Sequence, residues 1–314
     1  MGNHHLLLFQ LNRGHLRLDR VQAQAKWEMS AQAIFLKSLK LFRAGLMVTD
    51  KLYRLLRFWP PAQRFFRRLV RRLPHRTRRV KHFGRDLLVD PSELHGFYLY
   101  YEQEYDDHIF RFLLERLPSF QWSIDLGANI GIYTTFLAFH CSKVDAFEPE
   151  EKVLPRLQQN LRINGICNVT VHESCVSDVI GEVRFVPPSP QNQGVGQIGE
   201  VGVPVSSITL DEFLAKSMQL PLFVKMDIEG GEWLAVKGAL QIFRSWKSPL
   251  SILIELHPAE IKKLGGTLPE LQQLLEEQAG LTVQSLDAGE LYPVNDSSRF
   301  WWVTNDHSHD LNAR

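Results

Sequence analysis

The chain has 314 residues, of which 44% are hydrophobic and 23% charged, and its formal net charge is +1. That size predicts one α/β domain plus an extension, and the composition is that of a folded globular chain, which excludes a disordered or fibrous one. No apolar run approaches the roughly 18 residues of a membrane span, so no transmembrane helix is expected.

Cys141, Cys167 and Cys175 show no C-x-x-C spacing. So sparse and odd a set predicts a reducing, cytoplasmic setting. The start, MGNHHLLLF, lacks a basic segment and a cleavage site and is not read as a signal peptide. The small net charge hides a division. Residues 1–90 hold 20 Lys and Arg against 5 Asp and Glu, a balance of +15, while residues 91–314 come to −14. The expected organisation is a basic helical extension over 1–83, an α/β domain over 84–305 and a tail over 306–314.

In chain order, Phe35, Leu39, Phe42 and Leu46 have helical spacing. Beyond Trp59-Pro60-Pro61, a second helix carries Phe65, Phe66, Leu69, Val70 and Leu73, flanked by Arg64, Arg67, Arg68, Arg71 and Arg72. Such a helix suits a cap on the main domain, an anionic membrane surface or a polyanion. Nucleic acid is disfavoured, because aromatics do not alternate with the charges as in a stacking platform. Ile109, Phe110, Phe112, Leu113 and Leu117 predict a helix covering the first strand. Tyr98, Tyr100, Tyr101 and Tyr105 suit either packing or the mouth of a cleft.

The segment IDLGANIGIYTT (124–135) reads as a buried strand, a tight glycine turn and a helix start. Such a turn at the carboxyl end of the first parallel strand is where doubly wound sheets bind nucleotide-like ligands. A dinucleotide fingerprint is absent, since Asn129 and Ile132 stand where its later glycines would be. The pattern formed by Asp125, Gly127, Asn129 and Gly131 suits a ligand without phosphates but with an amino-acid end, and S-adenosylmethionine fits. Asp125 is then expected to accept from its ammonium group, and amides near Gly127 to meet its carboxylate. KVDAFEP (143–149) is the second strand, and Glu148 at its end is placed to take ribose hydroxyls.

LPRLQQNLRING (154–165) predicts a helix, VTVHESCV (169–176) the third strand, and 181–208 an excursion of short strands. FVKMDI (223–228) and SILIELH (251–257) are the fourth and fifth strands, with one helix over 230–246 between them. A helix over 270–280, a strand LTVQSLD (281–287) and an antiparallel strand RFWWVTN (299–305) close the sheet. Strand alternation puts Lys225 and Asp227 on one face with Glu229 at the end, and brings Glu255 and His257 beside them. One group of this cluster could act as a general base, and His257 attracts that role because its ordinary pKa lies near neutrality. Alternatively the carboxylates and His257 could hold Mg²⁺ or Mn²⁺. The metal-free version is the expectation. Lys225 suits a salt bridge with Glu229 or Asp227 as well as a catalytic role, and Glu232 suits the helix macrodipole.

IDLGANIGIYTT, FEPE (147–150), VSD (176–178), SSITLDEFL (206–214), VKMDIEGGE (224–232) and LIELHP (253–258) occur in that order. The sequence between Asp90 and Asn305 thereby resembles the FkbM family of S-adenosylmethionine-dependent methyltransferases. The block K-x-D-x-E-G-x-E is the most specific part. The resemblance implies a class I methyltransferase sheet, mostly parallel with an antiparallel C-terminal strand. It also implies methyl transfer, mostly to oxygen, on sugars, glycolipids or natural-product scaffolds, and it implies that Asp178 receives the adenine amino group. N-methylation and a non-catalytic interaction module are the alternatives. Neither the acceptor nor the oligomeric state is named by it.

Overall fold

The computed structural model describes residues 76–188, 196–295 and 297–306. The expected helices over 35–46 and 65–73, the loop residues 189–195 and the tail from 307 lie outside the described residues. The chain divides into two compact units, Met1–Arg76 with Asp90–Gln103, and Thr77–Val89 with Glu104–Arg314. In the first, Leu94–Phe97 forms a helical turn that widens into a π-helical turn at Tyr98–Glu102. The rings of Tyr98 and Tyr101 pack on Phe97 there, and Tyr100 lies edge-on to Tyr101.

The second unit opens with a hairpin of β1 (Arg78–His82) and β2 (Arg85–Val89). Phe83 and Gly84 form its turn, both at positive φ, as two-residue hairpin turns require. The expected helical extension to residue 83 thus gives way to a strand at Arg78, and the expected boundary at 83/84 falls in this turn. Arg85 is buried, with its guanidinium 4.6 Å from the centre of the Phe136 ring.

Six more strands follow in chain order before the acid-rich segments: β3 (Trp122–Leu126), β4 (Lys143–Phe147), β5 (Val169–His172), β6 (Cys175–Val176), β7 (Gly181–Val186) and β8 (Gln197–Ile198). They are succeeded by β9 (Val203–Ile208), β10 (Leu222–Met226), β11 (Leu250–Glu255), β12 (Thr282–Asp287), β13 (Glu290–Tyr292) and β14 (Phe300–Thr304). The main sheet has the order β13-β12-β14-β11-β10-β3-β4-β5. β5, β4, β3, β10 and β11 are mutually parallel, and β14 runs against both β11 and β12. The doubly wound sheet with an antiparallel strand near its end is therefore as expected.

The third strand is shorter than expected. It leaves the sheet after His172, and Cys175 and Val176 instead pair with β9 in a second sheet of order β6-β9-β7-β8. The helix expected over 230–246 is two, α5 and α6 in the following order: α1 (Asp107–Arg116), α2 (Ile132–His140), α3 (Leu154–Ile163), α4 (Leu210–Leu214), α5 (Glu232–Lys237), α6 (Leu240–Ser245), α7 (Pro258–Lys263) and α8 (Leu268–Gln273). Gly238 makes the break, where a Cβ would meet the Ser177 carbonyl at 2.1 Å.

Alternation splits the central strands cleanly. Ile124, Leu126, Val224, Met226, Ile252 and Ile254, all fully buried, join one hydrophobic core. The opposite face carries Asp125 and Lys225, which are direct partners in the β3–β10 register. Five apolar residues of the α1 region, Ile109, Phe110, Phe112, Leu113 and Leu117, are buried as expected. Phe110 stacks on Tyr133 of α2 at 4.6 Å, and Phe112 meets Trp302 of β14 edge-on.

Candidate functional site

The turn after β3 is held by its own backbone. Gly127 and Ala128 donate to the Phe147 carbonyl, and Gly131 donates to the Ala128 carbonyl. Asn129 donates through its amide to Glu148 Oε2 at 2.7 Å, and Ile130 donates to Asn129 Oδ1. Asn129 and Gly131 both take positive φ. Every amide from 127 to 131 thus has a partner, either in the turn or at the end of β4. These amides, expected from sequence to meet a ligand carboxylate, bond within the protein in this structure.

Gly127 serves a different purpose. A Cβ at this position would lie 2.0 Å from the Asp227 carbonyl oxygen, so the turn and the end of β10 touch backbone to backbone. A Cβ at Gly131 would meet Leu157 at 2.6 Å, which fits the turn onto α3.

Asp125, the expected ligand residue, is fully buried, accepts from Thr134 Oγ1 at 2.6 Å and lies 3.4 Å from Lys225 Nζ. These partners tie it to α2 and β10. Lys225 reaches Asp227 at the same 3.4 Å, donates to the Gly127 carbonyl and lies over the Tyr133 ring. Burial disfavours its charge, but Asp227, Asp125 and Glu255 together raise its pKa. Lys225 is therefore a buried brace between β3 and β10, paired with Asp125 and Asp227 and not with Glu229.

Glu148 is buried at the end of β4, and its other oxygen accepts from the Glu150 amide at 2.8 Å. Burial pushes its pKa up to about 7, against the amides of Glu150 and Asn129, which favour the charged form. Each carboxylate oxygen has one further lone pair to offer. Asp178 lies elsewhere: it pairs with Lys237 at 2.5 Å, at the last turn of α5.

The acid-rich end of β10 is where the remaining expectations converge. Asp227 and Glu229 follow β10, and Glu255 and His257 come from the end of β11. His257 Nε2 lies 3.4 Å from Glu229, 3.8 Å from Asp227 and 3.9 Å from Glu255. Its Nδ1 is 3.0 Å from Oε1 of Glu232 in α5, a fully buried residue whose same oxygen accepts from the Ile228 amide. Glu229 takes a left-handed conformation, φ 52°, which turns it back toward His257 at a cost of order 1–3 kcal/mol. Gly230 follows at φ 96°, where a Cβ would meet Glu260 at 2.3 Å.

Electrostatics reassign His257. Burial lowers its pKa, but the Glu232 hydrogen bond and the charges of Glu232, Asp227 and Glu229 overcome this and raise it to about 10. An imidazolium donates hydrogen bonds and does not accept a proton, so in this arrangement His257 is not the neutral base expected from its ordinary pKa. Burial lifts Glu229 to about 7 despite His257. Glu255 rises to about 8 by burial and the charge of Asp227, opposed by Arg299, whose Nε lies 2.8 Å away. One ligand atom each from Asp227, Glu229 and His257 lies within 4.8 Å of the others, a spacing that could hold a metal ion.

Several members of this site were not singled out from sequence. Glu232 stood in the K-x-D-x-E-G-x-E block but was read only for the helix macrodipole. Asp106 accepts from the Tyr133 hydroxyl at 3.1 Å and lies 3.9 Å from Arg299. Arg299 lies far along the chain in an unremarkable run before β14. The aspartate pair 106–107 and the strand-flanking arginine were the only sequence signals for these.

Among known proteins, residues 125–280 match the family model described as the methyltransferase FkbM domain. The chain is similar to the crystal structure of methyltransferase FkbM from Methylobacillus flagellatus, with 20% identity and a TM-score of 0.38, over 60% of this chain and 44% of that one. It therefore spans less than half the length of that protein. It is also similar to a TehB-like SAM-dependent methyltransferase from Corynebacterium glutamicum, with 11% identity and a TM-score of 0.40, over 67% of this chain and 92% of that one. No curated protein matches the chain.

Proposed function

Residues 125–280 belong to the methyltransferase FkbM domain family, and from that premise we propose that the protein transfers a methyl group from S-adenosylmethionine to a hydroxyl of a sugar, glycolipid or natural-product-like acceptor. The observation that carries this reading is the convergence of Asp227, Glu229, Glu255 and His257 at the carboxyl ends of β10 and β11. The same backbone contact that joins Gly127 to Asp227 ties this cluster to the turn that Glu148 organises.

The residues fit the cofactor at Glu148 and in overall charge. When bound, S-adenosylmethionine supplies an electrophilic methyl group on a sulfonium sulfur. Glu148 would hold the ribose hydroxyls through its remaining lone pairs, already oriented by two amides. The carboxylates beyond β10 and β11 favour a positively charged ligand. They are also placed to receive the proton that an acceptor hydroxyl must lose as its oxygen forms the new C–O bond. N-methylation is the second reading. The surplus of carboxylates would draw in a protonated amine, and an amine once deprotonated needs less help from a base.

Glu148→Ala should weaken cofactor binding at least tenfold by calorimetry, since it removes charge-assisted hydrogen bonds worth about 1.5–3 kcal/mol each. The pH dependence has a sign. Ribose hydroxyls donate to the ionised carboxylate, so binding favours loss of its proton. Affinity should rise with pH up to about 7, the value burial gives Glu148, and level off above it. Glu148→Gln should flatten that profile. A flat profile in the wild type would remove Glu148 from the binding site.

The acceptor is best found by incubating the protein and cell extracts with methyl-labelled cofactor, followed by mass spectrometry. Fragmentation of the labelled product separates O- from N-methylation. Absence of any labelled product, together with no cofactor binding to folded protein, would leave only the interaction-module alternative.

Among the described residues no helix is long and apolar enough to cross a membrane. The sequence of the basic segment 64–73, with Arg64, Arg67, Arg68, Arg71 and Arg72 beside apolar residues, nevertheless supports a peripheral contact with an anionic membrane. Each surface Lys or Arg adds about 1 kcal/mol of attraction to an anionic leaflet. The protein should co-sediment with anionic vesicles, far less with neutral ones, and less at high salt. Replacing Arg67, Arg68, Arg71 and Arg72 by Gln should release it without changing cofactor affinity. If the segment is a cap instead, vesicles will not bind and deletion of residues 1–75 will lower thermal stability.

A further inference from the structure

We infer that Asp227, Glu229 and His257 form a binding site for one divalent cation of the Mg²⁺ or Mn²⁺ class. Ion binding itself does not depend on the methyltransfer reading. Only its use does, as an ion that raises the acidity of an acceptor hydroxyl.

Geometry is the first argument. Metal–ligand bonds of about 2.1 Å put neighbouring ligand atoms about 3 Å apart and opposite ones about 4.2 Å apart. His257 Nε2 lies 3.4 Å from Glu229 Oε2 and 3.8 Å from Asp227 Oδ1, and the three ligand atoms all fall within 4.8 Å. Movements of about 0.4 to 0.8 Å, with the two carboxylates as the opposite pair, would close them on one ion. Two carboxylates and one imidazole leave further positions open for water and acceptor oxygen. Such a donor set suits Mg²⁺ or Mn²⁺, and it lacks the thiolates that would favour a structural zinc.

Glu232 provides the second argument. A metal-bound histidine needs its other nitrogen held by a hydrogen-bond acceptor, which fixes the tautomer and aims the ring. Glu232 Oε1 does this at 3.0 Å from Nδ1, leaving Nε2 directed at the two carboxylates. Glu232 is fully buried, and its Oε2 has no hydrogen-bond partner. A buried carboxylate with an oxygen left over is costly unless positive charge lies close by.

Charge supplies the third. Among the described residues, the ion pairs link Asp106, Asp125, Asp227, Glu229, Glu232 and Glu255 into one network with Lys225, Arg299 and His257. Six carboxylates thus gather around the three groups, an excess of negative charge that a divalent cation would offset.

The test uses the full chain, stripped of metal, and Mn²⁺ alone as the probe. Electron paramagnetic resonance of free Mn²⁺ during a titration should show one saturable site. Spin-echo modulation of the bound ion should show a directly bonded nitrogen. Glu229→Gln and His257→Asn should each weaken binding at least tenfold, and Glu232→Gln by about 10- to 100-fold through His257. Mg²⁺ should compete. Absence of a saturable site would overturn the inference. So would a site with no bonded nitrogen, or one unchanged in Glu229→Gln, because those results describe Mn²⁺ on surface carboxylates. The nitrogen signal is read on wild-type protein, so a variant that fails to fold leaves the test intact. Calorimetry with S-adenosylmethionine is run separately. Loss of cofactor binding with Mn²⁺ binding retained would reject the methyltransfer reading and leave the ion site standing.

Discussion

Replacing Lys225 by methionine is expected to cost about 3–5 kcal/mol of folding stability, the usual loss when one partner of a buried ion pair is removed. Lys225 is 4% exposed and faces two carboxylates, one of them the fully buried Asp125. Methionine fills much of the volume but leaves both acids without their cation. Of the total stability of a domain, commonly about 5–15 kcal/mol, this is a large share, and urea denaturation should show a markedly lower midpoint. The double change Lys225→Met with Asp125→Asn should be less destabilising than the two single losses added together, since the pair is coupled. A single-mutant loss under about 1 kcal/mol would mean that water reaches the acids and that Lys225 is no structural brace.

The second large effect is expected on turnover. Asp227→Asn and Glu229→Gln should each lower kcat by about 10²–10⁴-fold, the range of a lost proton-transfer group, and His257→Asn should lower it as well, because the imidazole at 3.4 Å from Glu229 and 3.8 Å from Asp227 orients both carboxylates. Cofactor affinity should fall far less than kcat, because Glu148, which would hold the ribose, lies at the end of a different strand and each acid change removes only one of several carboxylates near the cationic ligand. Steady-state kinetics on the acceptor found by labelling, with calorimetry for the cofactor, separates the two quantities. Full activity in all three variants would make the cluster structural. Equal losses in kcat and cofactor affinity would place it on the cofactor's side.

The long-range plan of the sheet was legible because its central strands are buried on both faces and read as short apolar runs. The placement of Asp227, Glu229, Glu255 and His257 followed from the same two-residue period. What the period could not show was pairing. Asp125 reads as a ligand residue by position, but the β3–β10 register sets it against Lys225, a partner that lies 100 residues further along the chain. The His257 pKa was equally hidden, since it depends on Glu232 at the start of α5 meeting the end of β11. The β1–β2 hairpin was obscured by charge. RRVKH and RDLLV alternate in burial, yet their arginines drew them into the basic extension. The Phe83-Gly84 turn was the available signal.

One feature of the sheet bears on how the protein is made. β14, Phe300–Thr304, is hydrogen-bonded on one side to β11 and on the other to β12. During synthesis both neighbours leave the ribosome before the strand that belongs between them. Until Thr304 emerges, two apolar strands present open edges, the condition that invites wrong pairing and chaperone capture. A frameshift or stop codon between Asp287 and Phe300 therefore does more than shorten the chain. It leaves a gap in the middle of the sheet, beside the strand that ends in Glu255, and such products should be recovered as aggregates rather than as weakened enzymes.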